Sequence, residues 1–224
     1  MPAAAPRGRG RPLVDDKHRR ILDAALVTFA ARGYHGTTVP EVADAAGVGT
    51  GTLYRYFEHK EALVNEVYRD AKQKLRDALL DNSVPVDTSS LGAAEAWFAA
   101  LWNRLAAFAR ANPDAFRFLE MQDHVEYLDA ASKQLELSVL APLVLAGKRL
   151  RDRTAGVAIE LAIALVWGAF VGLIKADRLG YLPLDDAKLA AARAACWRIF
   201  VPEHPVTRPV ARRSPRRSTR PMNR

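Results

Sequence analysis

The sequence predicts an all-α protein in two parts, and three observations lead to this fold class. Apolar residues recur at the spacing of a helix face along most of the chain. The segments with this spacing begin at capping residues and end at Gly or before Pro. No alternating strand pattern and no internal repeat interrupts them. With 224 residues, 50% of them hydrophobic, the chain can bury a sizeable core.

The first predicted helix covers residues 15–32 and carries Ile21, Ala25 and Phe29 on one apolar face. Gly33 follows as its C-terminal cap. We expect this helix to brace the two shorter helices that come next.

A short second helix begins with a capping box. The Thr38 hydroxyl and the Glu41 carboxylate lie three residues apart, so each can accept a hydrogen bond from the other's backbone amide. Pro40 fits because first-turn amides have no helical partner. Gly47 is predicted to end this helix in a tight turn.

The third helix is predicted over residues 50–57, with Leu53 and Phe57 buried at positions i and i+4. Its other side would carry exposed donors and aromatic rings. These are Thr50, Gly51, Thr52, Tyr54, Arg55 and Tyr56.

Six further helices are predicted from the same signals. They cover residues 60–80, 91–111, a short segment starting at 112–114, 125–147 with a bend near Pro142, 154–179 and 185–200. The first of them would link the N-terminal helices to the rest of the chain.

Three stretches, FAARGYHGTT, VADAAGVGTGTLYRYF and HKEALV, resemble the DNA-binding domain of the TetR/AcrR family of bacterial transcriptional regulators. The resemblance covers roughly the first third of the chain. It implies a helix-turn-helix DNA-binding domain over 15–60 and a helical effector-binding and dimerisation domain over 61–201, while composition predicts a disordered basic arm over 1–14 and a disordered Arg-rich tail over 202–224. It further implies a repressor that binds a palindromic operator as a dimer and leaves it when a small apolar effector binds.

The resemblance also assigns roles on double-stranded DNA, position by position. The residues facing the bases would be Gly49, Thr50, Gly51, Thr52, Tyr54 and Arg55. Arg55 is the residue best suited to bind a guanine, and Gly51 permits close backbone approach. Thr38, Tyr54, Tyr56 and Lys60 would hold phosphates. Ordinary packing is the alternative for each residue.

Positive charge is concentrated at the two ends of the chain. Three arginines precede the first acid and seven follow the last, so the net charge of +8 leaves about −2 for the region between. Such ends add salt-sensitive attraction to phosphates. Arg9 and Arg11 lie in an RGRP sequence like the core of an AT-hook, which inserts arginine into the minor groove. A solvated basic arm is the alternative.

The middle helices are rich in aromatic residues, for which a core role and an effector pocket both remain open. The pocket candidates are Trp97, Phe98, Trp102, Phe108, Phe118, Met121, His124 and Tyr127. His124 can equally be a surface histidine. The acids near it lack the i, i+4 spacing of helical metal ligands, so we predict no metal and no cofactor.

The last two helices are candidates for a subunit interface. Gly168 and Gly172 lie one turn apart on a nearly uncharged helix, and Leu189, Cys196 and Ile199 share an apolar face of the next. Core burial would explain either face alone. Together, in a chain that resembles this family, they predict a homodimer joined by a four-helix bundle.

Composition favours the cytoplasm and no membrane partner. The single cysteine excludes an internal disulfide, and the N-terminus lacks the apolar segment of a secretory signal. The longest charge-free run, residues 161–174, is shorter than the ~20 residues that span a bilayer.

Two other classes of protein are alternatives to a regulator. An architectural DNA binder would explain the basic ends but does not need the helix-turn-helix sequence. A helical enzyme would need a catalytic motif, and the sequence has no Gly-rich phosphate loop, HExxH or nucleophile elbow. We therefore predict that the protein is not an enzyme.

Overall fold

The computed structural model describes residues 13–80, 86–120, 126–154 and 157–201, and every regular element in these ranges is a helix. The helices are α1 (Leu13–Arg32), α2 (Val39–Ala45), α3 (Thr50–Leu53), α4 (Lys60–Leu79), α5 (Leu91–Ala111), α6 (Pro113–Glu120), α7 (Ala130–Thr154), α8 (Ile159–Arg178) and α9 (Asp186–Phe200). The predicted all-α class is confirmed. Residues 1–12 of the predicted arm and the Arg-rich tail from residue 202 lie outside the described residues, whereas residues 13 and 14 belong to α1.

Helices α1 to α3 form a compact head, defined here as residues 13–57, and α4 to α9 form the body, residues 60–201. Helix α1 packs against α2, α4 and α6, while α4 also packs against α5 and α7. Buried side chains of the head and the body belong to one continuous hydrophobic cluster. The linking helix α4 is therefore shared by both parts.

The start and end of α2 are as the sequence predicts. The Thr38 amide donates to Glu41 Oε2 at 2.8 Å, and the Glu41 amide donates to Thr38 Oγ1 at 3.4 Å. Gly47 has a φ of +63°, a conformation that favours glycine. Arg20 Nη2 donates to the carbonyl of Ala46 at 2.7 Å and so fixes this turn against α1.

Helix α3 is shorter than predicted, ending at Leu53 instead of Phe57. The amides of Arg55 and Tyr56 bond to carbonyls three residues back, at 3.2 and 2.9 Å, so the chain tightens after the first turn. Leu53 and Phe57 are nevertheless both buried, as predicted.

Three boundaries around α7 and α8 differ from the prediction. Helix α7 begins at Ala130 because Asp129 Oδ1 accepts a hydrogen bond from the Ser132 amide at 2.7 Å, which is an N-terminal cap. It continues past Gly147 to Thr154. Gly147 is a close crossing point instead of a cap, since a Cβ there would lie 1.8 Å from Ile159 Cδ1. Helix α8 accordingly begins at Ile159.

Helix α8 is long and apolar enough to cross a membrane by length and composition, but only 17% of its most apolar window is buried within the chain. One such helix is weak evidence for a membrane span, because core helices pass the same test. No described part of the chain covers the outer face of α8, where Leu161 and Leu165 are exposed.

Candidate DNA-binding surface, ligand cavity and subunit interface

The recognition candidates lie on the outer side of α3. Leu53 is 1% exposed and anchors the helix in the head, whereas the Tyr54 side chain is 50% exposed and Arg55 is also exposed. Gly49 caps the N-terminus of α3 in an extended conformation. At Gly51 an added Cβ would meet no atom within 4 Å, so packing inside the chain does not explain this glycine. The arrangement offers backbone, hydroxyl and guanidinium groups to a flat or grooved partner.

Two phosphate candidates already have partners within the head. The Thr38 hydroxyl is exposed, but it accepts from the Glu41 amide and donates to Glu41 Oε2 at 2.9 Å. The hydrogen bonds that the Thr38 amide and then its hydroxyl donate to this carboxylate lower the pKa of Glu41. The half-buried Tyr56 ring lies 5.8 Å from the ring of His18. His18 also stacks on Phe57 and pairs with Glu66 of α4, a contact that the sequence alone did not predict.

Lys60, another phosphate candidate, lies over an aromatic ring. Its Nζ is 4.1 Å from the centroid of Tyr34, and burial lowers the pKa of the Lys60 ammonium. The Tyr34 ring also stacks on that of Tyr127, with centroids 4.3 Å apart. Burial and a hydrogen bond to Glu61 raise the pKa of Tyr34 to about 12. Tyr34 of the head therefore contacts both Lys60 at the start of α4 and Tyr127 of the body.

A cavity of about 620 Å³ lies in the body among α4, α5, α7, α8 and α9. This is within the usual size range of small-molecule sites, and most of its lining is apolar. Trp97 and Phe98 of the predicted pocket line it, together with Trp167 and Trp197. The cavity adjoins α4, the helix that begins at the head.

Four other predicted pocket residues do not line this cavity. Trp102 is buried against the ring of Phe170, with centroids 5.1 Å apart, and Phe108 is buried in the core. Phe118 and Tyr127 face the head. Helical spacing predicts a buried face but not which neighbour fills it, which explains the difference. Met121 and His124 lie outside the described residues, as do Arg9 and Arg11.

The cavity also has polar groups that the sequence did not single out. Tyr68 donates to Glu136, and Lys72 Nζ lies 2.5 Å from Glu136 Oε2. Burial and the bond to Glu136 raise the pKa of the Tyr68 hydroxyl. Glu120 Oε1 accepts from Arg178 at 3.0 Å. Tyr68 and Lys72 lie one turn apart on the apolar face of α4, and this spacing of polar groups was the feature of the sequence that could have predicted them as cavity residues.

Asn65 was also missed, although it joins the head end of α4 to the body. It is buried, its Nδ2 donates to the carbonyl of Tyr127 at 2.8 Å, and its Oδ1 accepts from the Asp129 amide at 2.8 Å. A polar residue on a buried helix face needs such partners.

The interface candidates divide into two groups. Gly168 and Gly172 are exposed, and a Cβ on either would meet nothing within 4 Å. Leu189 and Cys196 are instead 6% exposed and lie in the chain's own core, so they do not form an outer face. Burial raises the pKa of the Cys196 thiol. Ile199 is half-buried.

Metal binding has no support in the described ranges, where no group of three or more His, Cys, Asp or Glu side chains could hold an ion.

Family comparisons match both parts of the chain. A model of the bacterial regulatory proteins of the tetR family matches residues 21–67. A model of the tetracyclin repressor-like C-terminal domain matches residues 76–201, which is more than half of the chain.

Individual proteins similar to this chain are also described as transcriptional regulators. The HTH-type transcriptional repressor KstR2 of Rhodococcus jostii (strain RHA1) is 45% identical over 53 residues, which are 24% of this chain and 26% of KstR2. The chain thus matches only about a quarter of that relative's length. A TetR family transcription regulator from Marinobacter aquaeolei VT8 has the same fold, with a TM-score of 0.70, 23% identity, and coverage of 83% of this chain and 96% of that one. A TetR family protein from Vibrio parahaemolyticus is 28% identical, with a TM-score of 0.60 and coverage of 81% and 97%.

Proposed function

Because the chain belongs to the TetR family of bacterial transcriptional regulators, we propose that it is a repressor released from a palindromic operator by a small apolar effector. Members of this family are DNA-binding regulators and not enzymes. The repressor assignment, the dimer, the operator, the effector and a cytoplasmic location belong to the proposal.

The outer side of α3 is the observation that carries the proposal. Its inner side chains are held in the head core, so the exposed positions from Gly49 to Arg55 form a fixed surface. A helix-turn-helix places the N-terminal part of its recognition helix against base edges in the major groove. Arg55 can donate two hydrogen bonds to a guanine there.

A dimer explains why the operator would be palindromic. A two-fold pair places two recognition helices in successive major grooves, about 34 Å apart. The exposed apolar face of α8, including Gly168 and Gly172, supports a partner copy at this position. Without a partner this face would remain in water.

The cavity supports effector control through α4. Tyr68, Lys72, Leu75 and Leu79 of α4 line it, and the same helix begins at Lys60 against Tyr34 of the head. A ligand that fits the cavity better when α4 is displaced would favour a different spacing of the two heads. Operator affinity would then fall.

The proposal is tested by selecting bound sequences from a random duplex pool with the purified chain at near-physiological salt. We expect a palindrome. An AT-rich pool without symmetry would instead show that the basic ends dominate and that the protein is architectural. Deleting both ends, residues 1–12 and 202–224, should abolish binding by an architectural protein and only weaken that of a repressor.

Arg55 provides a sharper test once an operator is known. We expect Arg55→Ala to weaken binding by about 5- to 150-fold for each half-site, the value of one bidentate base contact of ~1–3 kcal/mol, and to relax preference at one base pair of each half-site. Arg149→Ala is the matched control, since Arg149 is an exposed arginine of α7. Equal losses in both variants at every base pair, measured by a binding titration over single-base operator variants, would contradict the assigned role.

A further inference from the structure

Glu120 gives the cavity wall an unsatisfied acceptor. Its side chain is only 11% exposed; Oε1 accepts from Arg178, and Oε2 is buried with no hydrogen-bond partner in the described part of the chain. A buried carboxylate oxygen without a donor is costly, because water has been removed and nothing replaces it. Glu120 also lines the cavity. Oε2 has less than 1 Å² of accessible surface, so a donor on a bound molecule reaches it only when the Glu120 side chain turns toward the cavity, and the donor then satisfies the unpaired oxygen.

Glu136, another acid that lines the cavity, differs from Glu120 because both of its partners are charged or polar groups of the cavity wall. Glu136 accepts from the Tyr68 hydroxyl and pairs with Lys72, whose side chain is only 12% exposed. A ligand carboxylate that bound Lys72 would compete with Glu136 for the same ammonium and would be repelled by the Glu136 charge nearby. This pair therefore gives no ready site for an anion.

The charges along the cavity wall single out Glu120 as the group that a cation would meet. The described residues that line it include three carboxylates, Glu120, Glu136 and Glu160, and one ammonium, Lys72. Lys72 pairs with Glu136, and water screens the exposed Glu160. Arg178 offsets part of the Glu120 charge through Oε1, so Glu120 is the buried carboxylate with an oxygen left for a cation.

We propose that the cavity binds an apolar molecule carrying a protonated amine, with the ammonium donating to Glu120 Oε2 and the apolar part lying against the tryptophans. This inference rests on the proposed function, in which the same cavity takes the effector. It adds the chemical class of the ligand, which apolarity alone leaves open.

The test compares four probes with the same ten-carbon chain on the full-length protein, each below its micelle concentration. They are decylamine, decanol, decanoate and the methyl ester of decanoate. Calorimetry gives the affinity, and quenching of tryptophan fluorescence reports occupancy, since Trp97, Trp167 and Trp197 line the cavity. We expect decylamine to bind at least about tenfold more tightly than the others, as a charged hydrogen bond implies. Equal binding of decanol, or tighter binding of decanoate, overturns the proposal, and so does no binding of decylamine.

Two substitutions with opposite expected effects separate the role of Glu120 from misfolding. Glu120→Gln should lower decylamine affinity about tenfold and leave decanol unchanged. Arg178→Gln removes the competing cation and should raise decylamine affinity. Glu160→Gln is the matched control, and its exposed carboxylate should matter little because water screens it. If both Glu120→Gln and Arg178→Gln lower the affinity for every probe, the proposal fails.

Operator binding keeps this inference distinct from the proposed function. If decylamine binds at Glu120 but does not change operator affinity, the ligand class stands and effector control fails. If a palindromic operator is found and no amine binds, the DNA-binding function stands and the ligand class fails.

Discussion

Arg19 and Asp70 join the first helix of the head to α4. Arg19 Nη1 lies 2.9 Å from Asp70 Oδ1, and Lys74 Nζ lies 2.8 Å from Oδ2 of the same carboxylate. Burial opposes ionisation of Asp70, but these hydrogen bonds prevail and lower its pKa below the ordinary value of 3.8. The carboxylate is thus held in its charged form between two elements.

This pair makes stability depend on pH in a definite direction. Since the pKa of Asp70 is lower in the folded chain, its contribution is full well above pH 3.8 and is lost as pH falls through and below that value. We expect Asp70→Asn to reduce the free energy of unfolding at pH 7 by about 1 kcal/mol. The difference from the parent should shrink as pH falls below about 4.

The measurement is urea unfolding of parent and variant across this pH range. Asp77→Asn is the matched control, because Asp77 is an exposed carboxylate on the same helix whose contact is with neutral Gln73. A difference for Asp70→Asn that stays constant with pH would contradict the assigned pairing.

Residues whose partners are near in sequence were predictable, and those with distant partners were not. The Thr38–Glu41 capping box and the Gly47 turn follow from spacings of a few residues. Glu120 and Asn65 act through residues far along the chain, 58 and 62 positions away. Only the packing of the folded chain brings these partners into reach.

Helix α6 carries two buried phenylalanines with different neighbours. The Phe118 ring lies 6.2 Å from that of Phe29 in the head. The Phe116 ring lies 5.9 Å from that of Trp167 in the body. Both side chains are about 1% exposed. This short helix therefore packs into the head and the body at once, and the hydrophobic cluster that they share is continuous through it.

A shared core predicts that head and body unfold together. We expect Phe118→Ala and Phe116→Ala each to cost about 3–5 kcal/mol, since each leaves a cavity in the core. Each variant should lower the free energy of unfolding by the same amount whichever of two probes reports it. One is tryptophan fluorescence, which reports only the body because all four tryptophans lie there, and the other is amide exchange in α1.

Following both variants with both probes shows what would contradict a shared core. If Phe118→Ala weakened only α1 and Phe116→Ala changed only the fluorescence transition, head and body would be independent folding units. The domain boundary predicted after residue 60 would then also be a boundary of stability.

At the level of elements, the sequence predicted the helices well and their ends and neighbours less well. The prediction for residues 91–111 agrees with α5, because Ser90 and Asn112 flank one uninterrupted apolar pattern. The prediction around Gly147 failed because a glycine can end a helix or let two helices approach, and local sequence does not distinguish these roles. For a similar reason, Trp97 and Phe98 line the cavity and the other predicted pocket residues within the described ranges do not.

The outer face of α8 is apolar and lacks a packing partner among the described residues. Leu161 and Leu165 are 50% and 46% exposed, and Gly168 and Gly172 continue the same face. Glycines one turn apart allow a second helix to approach closely, and nothing in the described chain uses that space. We infer that a second copy covers this face, consistent with the proposed dimer.

Leu165→Glu tests this interface at the scale of the whole molecule. A carboxylate at the centre of an apolar interface would be buried without a partner, so we expect the dimer to dissociate. Operator affinity should fall at least about tenfold, because each monomer then binds one half-site without the gain from linkage. Sedimentation velocity gives the molecular mass, and a binding titration gives the affinity.

Ala107→Glu supplies the control for this substitution. Ala107 is exposed on α5, so the new charge remains in water, and the dimer and its operator affinity should be unchanged. Unfolding of both variants, followed by circular dichroism, checks that neither has lost its fold. If the parent protein sediments as a monomer, there is no subunit contact. If the Leu165→Glu variant stays dimeric and binds the palindrome as before, the subunit contact lies elsewhere. Dissociation of the intact Leu165→Glu variant alone would locate the contact on α8.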